Sequence, residues 1–198
     1  MHRSFYNILF LLIIGIILTG CGNDFYSNSS KYDKEYLNEI ISAIESGDSD
    51  NIRSLFASDL QLNSEDLDIG IQEILTLYQG TMTSSKSVGS ATESRANGKK
   101  TLYSTYRIYT DKGEYCISYL YQAGGDAEKK GFRHVALCKN ENYHDADVMI
   151  GYPDCEGAYA YCSDEAKTRI NKKLTEAGFD FEEYKKDKDE IQASLKNK

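Results

Sequence analysis

Apolar residues recur at helical spacing along the first part of the chain and at alternate positions through its middle. Tyr36, Leu37, Ile40, Ile41 and Ile44 fall on one stripe, and Leu67, Ile71, Ile74, Leu75 and Tyr78 on another. That is the periodicity of amphipathic helices. Between them Ile52, Leu55 and Phe56 predict a shorter helix facing inward. Gly47 ends the first helix, Asp48 or Ser49 caps the second, and Asn63 or Ser64 caps the third, which runs to Gly80. The reason is the usual asymmetry of Asp or Ser before a helix and Gly after it.

From Thr81 the pattern changes. Residues 81–94 are polar and predict a strand, with Gly89 marking a bulge or an edge. Asn97-Gly98 is a hairpin turn signal, because both residues tolerate positive φ. Residues 100–110 alternate, with Leu102, Tyr106 and Ile108 on one side and Tyr103, Arg107 and Tyr109 on the other. Asp111-Lys112-Gly113 turns the chain into strand 114–122, and residues 123–131 turn it again into 132–139. Centring that second turn on Ala127 sets Cys116 opposite Cys138, Ile117 opposite Leu137 and Tyr119 opposite Val135. Residues 140–162 have no firm period. Ser163 caps a helix through Ala177, with Ala166, Ile170 and Leu174 on one face and Gly178 as its stop. Residues 180–198 alternate charge and read as a solvent-exposed helix laced by i,i+4 pairs. Three helices followed by four strands predict an α+β domain, its N-terminal helices packed on one face of an antiparallel sheet.

The N-terminus belongs to a different category. His2 and Arg3 precede the apolar run Ile8–Leu18, which falls short of the about 20 residues a membrane-spanning helix needs. A basic start, a short apolar stretch and then small residues read as a secretory signal. The segment Leu18-Thr19-Gly20-Cys21 resembles the lipobox of bacterial lipoproteins, in which the cysteine sulfur takes a diacylglyceryl group before the leader is cut. Two or more acyl chains on one residue make a stable anchor. The expected organisation is a signal peptide over 1–20, a flexible tether over 21–31, a cone-like α+β domain over 32–162 and a C-terminal helical extension over 163–198.

Charge narrows the partners. The chain has 23 basic and 31 acidic side chains, a net charge of −8. The leader's only charged residue is Arg3, so its removal makes the balance one more negative. Such a surface argues against nucleic acid, whose binding depends on Lys and Arg neutralising phosphates. It also gives no help in holding anionic lipid, so membrane contact falls to the anchor.

The lipobox, the tether and the run YLNEIISAIESGDSDNIRSLFASD, supported by YSTYRIYTDKGEYCISYLYQ, resemble small Firmicutes lipoproteins classed as domain of unknown function 5104. The resemblance covers about residues 31–140. It implies a nuclear-transport-factor-like (SnoaL-like) cone, with helices closing one side of a curved sheet, and it implies no activity and no catalytic residues.

Candidate chemistry is sparse. With His2 lost in the leader, only His134 and His144 remain. An SnoaL-like enzyme would use His134 with a carboxylate as an acid–base pair. Against that, His134 alternates away from Val135 and Leu137, as a surface or strand-face histidine would. Asp145 and Asp147 occupy the first places of a calcium loop, but Met149 stands where a third oxygen is required. A solvated acidic loop is expected instead, and no metal or cofactor. Cys116, Cys138, Cys155 and Cys162 lack zinc spacing. In an exported protein they are candidates for two disulfides, Cys116 with Cys138 and Cys155 with Cys162. Buried free thiols are the alternative. Tyr106 and Tyr119, from a dense set of tyrosines, are candidates for lining a pocket or for packing the sheet face.

The expected function is ligand or protein binding at the extracytoplasmic face of the cell membrane, without catalysis. The alternatives are the His134 enzyme, or an interaction module that docks a partner through its C-terminal helices.

Overall fold

In the computed structural model, the described residues are 29–62, 64–89, 91–143, 155–181, 183, 184 and 186. The expected leader and lipobox, His144, residues 145–149 and most of the terminal charged segment lie outside them. The first apolar stripe forms α1 (Ser29–Ser46), which takes in the last three residues of the expected tether. Gly47 ends it with φ +68. The Asp48 carboxylate then caps α2 (Ser49–Ser54), accepting from the amides of Asp50 at 3.0 Å and Asn51 at 3.3 Å. A short helix α3 (Ser58–Leu62), too brief to show a period, precedes α4 (Ser64–Leu77).

The predicted strand over 81–94 is broken in two. β1 (Met82–Ser87) and β2 (Thr92–Ala96) pair with successive halves of the same long strand, β3 (Lys99–Thr110). The Val88 amide still reaches the Thr105 carbonyl, at 2.8 Å. Gly89, at φ +101, then carries the chain out of the ladder. Asn97 and Gly98 take φ +51 and +78, the paired positive values of a two-residue hairpin turn.

β4 (Glu114–Gln122) and β5 (Gly131–Lys139) extend the sheet, with Cys116 opposite Cys138, Ile117 opposite Leu137 and Tyr119 opposite Val135. That is the register expected of a turn centred on Ala127. A sixth strand, β6 (Gly157–Tyr161), completes the sheet and lies parallel to β5. The sheet is therefore mixed, where antiparallel pairing alone was expected. The strand order is β1-β3-β4-β5-β6, with β2 also on β3.

From β4 to β6 both faces of the sheet are covered, whereas β1 and β2 are largely exposed. Residues of α1, α2 and α4 share one apolar core with Tyr106, Ile108, Ile117, Tyr119, Val135 and Leu137. On the opposite face Cys116, Ala136, Cys138 and Tyr159 form a second core with Ile170 and Leu174 of α5 (Asp164–Glu176). Ser163 caps α5 by accepting from the Ala166 amide at 3.1 Å. Two ion pairs, Arg169 with Glu73 and Lys173 with Asp66, join α5 to α4. No helix among the described residues is long and apolar enough to cross a membrane.

Candidate functional site

Tyr106 and Tyr119 point into the first core, and α1 determines what they do there. The Tyr106 hydroxyl donates to Asp33 Oδ2 at 2.5 Å. The Tyr119 hydroxyl lies 2.5 Å from Asp33 Oδ1 and 2.6 Å from the Asp33 carbonyl oxygen. Asp33 is 5 % exposed, Tyr106 4 % and Tyr119 0 %, so the cluster is closed to solvent. A buried carboxylate is tolerable only when its oxygens are hydrogen-bonded, and the two phenols meet that need. Burial, followed by the bond to Asp33, pushes both tyrosines above the ordinary phenol range. Both hydroxyls are committed to Asp33, so these residues act as packing and polar clamp.

The second face carries the histidine and three of the cysteines. His134 lies opposite Leu120 on β4 and is fully buried, so the surface reading gives way to a place inside the second core. Its Nδ1 lies 2.7 Å from the Cys155 carbonyl oxygen and its Nε2 3.4 Å from the Ser118 hydroxyl. A carbonyl can only accept, so Nδ1 carries a proton and Nε2 is left to Ser118. The imidazole also lies against the Tyr159 ring, with centroids 5.7 Å apart.

A row crosses the sheet beside it. Arg107 on β3 faces Cys116 on β4, which faces Cys138 on β5. Both sulfurs are buried, and all four described cysteines are free thiols. The neighbouring Cys138 thiol, followed by the Arg107 guanidinium, holds Cys116 below the ordinary thiol range, while proximity to Cys116 and burial push Cys138 up. Cys116 also approaches Asn140 Oδ1 at 3.5 Å.

Cys155 and Cys162 are not brought together. The whole of β6 runs between them, and a strand advances about 3.3 Å per residue. That separation exceeds the roughly 4.4–6.8 Å that a disulfide spans between Cα atoms. Cys155 is buried and donates to the Tyr159 hydroxyl at 3.2 Å, whereas Cys162 is exposed. The apolar face of α5 is likewise taken up, since Ala166, Ile170 and Leu174 are buried.

An open cavity of about 370 Å³ lies where β4 begins and β5 ends, lined by Gln79, Lys112, Gly113, Tyr115, Lys139 and Asn140 with Glu114 and Glu141. Asn140 binds Glu114 at 3.2 Å, and the Tyr115 hydroxyl accepts from the Gln79 amide at 3.0 Å. A smaller cavity of about 130 Å³ sits between α4, β6 and α5, beside Asp66, Glu156 and Lys173. Among the described residues no three His, Cys, Asp or Glu side chains converge as metal ligands.

Residues 39–140, from within α1 to the end of β5, match the family described as Domain of unknown function (DUF5104). The chain belongs to that family. No curated protein matches it. In this DUF5104 member the Arg107–Cys116–Cys138 row lies inside the matched stretch, while β6 and α5 lie beyond it. Arg107 and Asn140 had not been singled out from the sequence. A β3–β4 hairpin centred between Asp111 and Lys112 sets Arg107 opposite Cys116, as the structure has it. Nothing local could have placed Asn140.

Proposed function

We propose that this protein is a lipid-anchored, extracytoplasmic binding protein, held by acyl chains on Cys21 and taking a small polar ligand at the open end of β4 and β5. The observation that carries the anchor is the placement of Leu18-Thr19-Gly20-Cys21 directly after a short basic and apolar leader. The short chain between Cys21 and Ser29, where α1 begins, would keep the domain close to the membrane surface. The cavity supports a polar ligand, because Lys112 and Lys139 stand among the carboxylates of Glu114 and Glu141 and the amides of Gln79 and Asn140. Such a lining suits a molecule carrying both donors and acceptors.

The nuclear-transport-factor-like cone belongs to the same reading. It is supported by helices on one sheet face and by irregular pairing between Met82 and Ser84 and between Leu120 and Tyr121, since bulges bend strands. A non-catalytic role is favoured by the commitments of Tyr106, Tyr119 and His134 to internal partners. Complementation of a deletion strain tests the proposal. Cys21→Ala, which removes the lipidated thiol, is expected to fail to restore the wild-type phenotype, while His134→Gln is expected to restore it. A folded, normally abundant His134→Gln protein as inactive as the deletion would replace binding with acid–base catalysis.

A further inference from the structure

Cys116 and Cys138 occupy directly opposed positions on neighbouring antiparallel strands. Opposed residues of such a pair have Cα atoms about 4.5–5.5 Å apart, within the roughly 4.4–6.8 Å range of a disulfide. The register alone sets the two side chains side by side on the same face of the sheet, so closing a bond requires no strand to move. Two neighbours distinguish the sulfurs. Arg107, opposite Cys116 on the other flank, brings a guanidinium to one sulfur and not to the other. Its Nε is buried and has no hydrogen-bond partner among the described residues. Asn140 sits between Cys116 and the open cavity, since its side chain touches the sulfur and also lines the cavity wall.

We propose that Cys116 and Cys138 are an oxidisable dithiol, with Cys116 as the attacking sulfur and a small-molecule disulfide, entering past Asn140, as the oxidant. The Cys116 thiolate attacks one sulfur of the disulfide, forming a mixed disulfide and releasing the first small thiolate, which takes up the proton Cys116 gave up. Cys138 then attacks the Cys116 sulfur, closing the cross-strand bond. The second small thiolate leaves with the Cys138 proton. The protein dithiol is oxidised by two electrons and the disulfide is reduced to two thiols. Arg107 favours the attacking thiolate, because the thiolate rather than the thiol is the nucleophile. Neither lipid on Cys21 nor the identity of a cavity ligand enters this chemistry.

The test uses the full chain in detergent, reduced with dithiothreitol, freed of reductant and exposed to oxidised glutathione. Alkylation before and after reduction, with peptide mapping, reads each cysteine. The expected result is joint loss of the Cys116 and Cys138 thiols, with the two peptides linked to each other. Cys138→Ala should retain glutathione on Cys116, Cys116→Ala should leave Cys138 unmodified, and Asn140→Ala should speed the wild-type reaction. Circular dichroism checks that each variant is folded, and the wild-type arm decides the matter if one is not. Full alkylation of both cysteines after excess oxidised glutathione would overturn the dithiol. Glutathione found on Cys138 but not on Cys116 in the single variants would overturn the assignment of the attacking sulfur, and an unchanged rate in Asn140→Ala would overturn the entry route.

Discussion

Asp33 binds two strands to the first helix through a carboxylate hidden from water. Its partners lie 73 and 86 residues away in the chain, so nothing near Asp33 in sequence announces its burial. That distance explains why Tyr106 and Tyr119 were legible as unusual but not as clamps. The Cys116–Cys138 pairing was legible, because a hairpin is local and its symmetry fixes the register. His134 was legible in direction only. Alternation turned it from the first core, and only the arrival of β6 and α5 made its own face a second core. Replacing Tyr119 by Phe keeps the ring and removes one donor from a buried carboxylate, a change that costs about 1.5–3 kcal/mol. Urea unfolding at neutral pH should show that loss, and an unchanged midpoint would mean that the Asp33 contact contributes nothing. The same clamp predicts alkaline sensitivity. Both phenols have folded pKa values raised above the ordinary 10.0, so their contribution is complete below that value. It is lost as pH rises beyond it, at about 1.4 kcal/mol per pH unit for each group. Tyr119→Phe should therefore also shallow the decline of stability above pH about 10.

Among the elements, the apolar stripes of α1 and α4 and the alternation of β3 to β5 were readable because each buries one face against a single layer. β6 was not. Its sequence, Gly157-Ala-Tyr-Ala-Tyr161, buries Ala158, Tyr159 and Ala160 between α4 and α5, and a strand buried on both sides shows no alternation. Its parallel pairing with β5 also leaves no turn signal to read. The contact that seats it is Gly70 of α4. A Cβ on Gly70 would stand 1.8 Å from the Ala158 carbonyl oxygen, so helix and strand backbones meet with no room for a side chain. Ala is the better helix former by about 1 kcal/mol, yet Gly70→Ala should destabilise, because overpacking costs about 1–3 kcal/mol or more. A midpoint of urea denaturation equal to or above wild type would show that α4 is free to move off β6.

At the scale of the molecule, the β4–β6 part of the sheet lies between two layers, and ion pairs join α4 on one face to α5 on the other. The interior is thus given to structure, with a buried carboxylate, a buried histidine and two apolar cores. Accessible polar side chains line the cavity at the open end of β4 and β5. In the proposed reading, the short leader and Cys21 are what place this domain in the cell. The central claim is therefore tested most directly by intact-mass and N-terminal peptide analysis of the protein isolated from the membranes of its host. The account predicts a mature chain beginning at Cys21, its sulfur carrying a diacylglyceryl thioether. A mature chain that retains the leader, or that begins elsewhere with an unmodified Cys21, would contradict it.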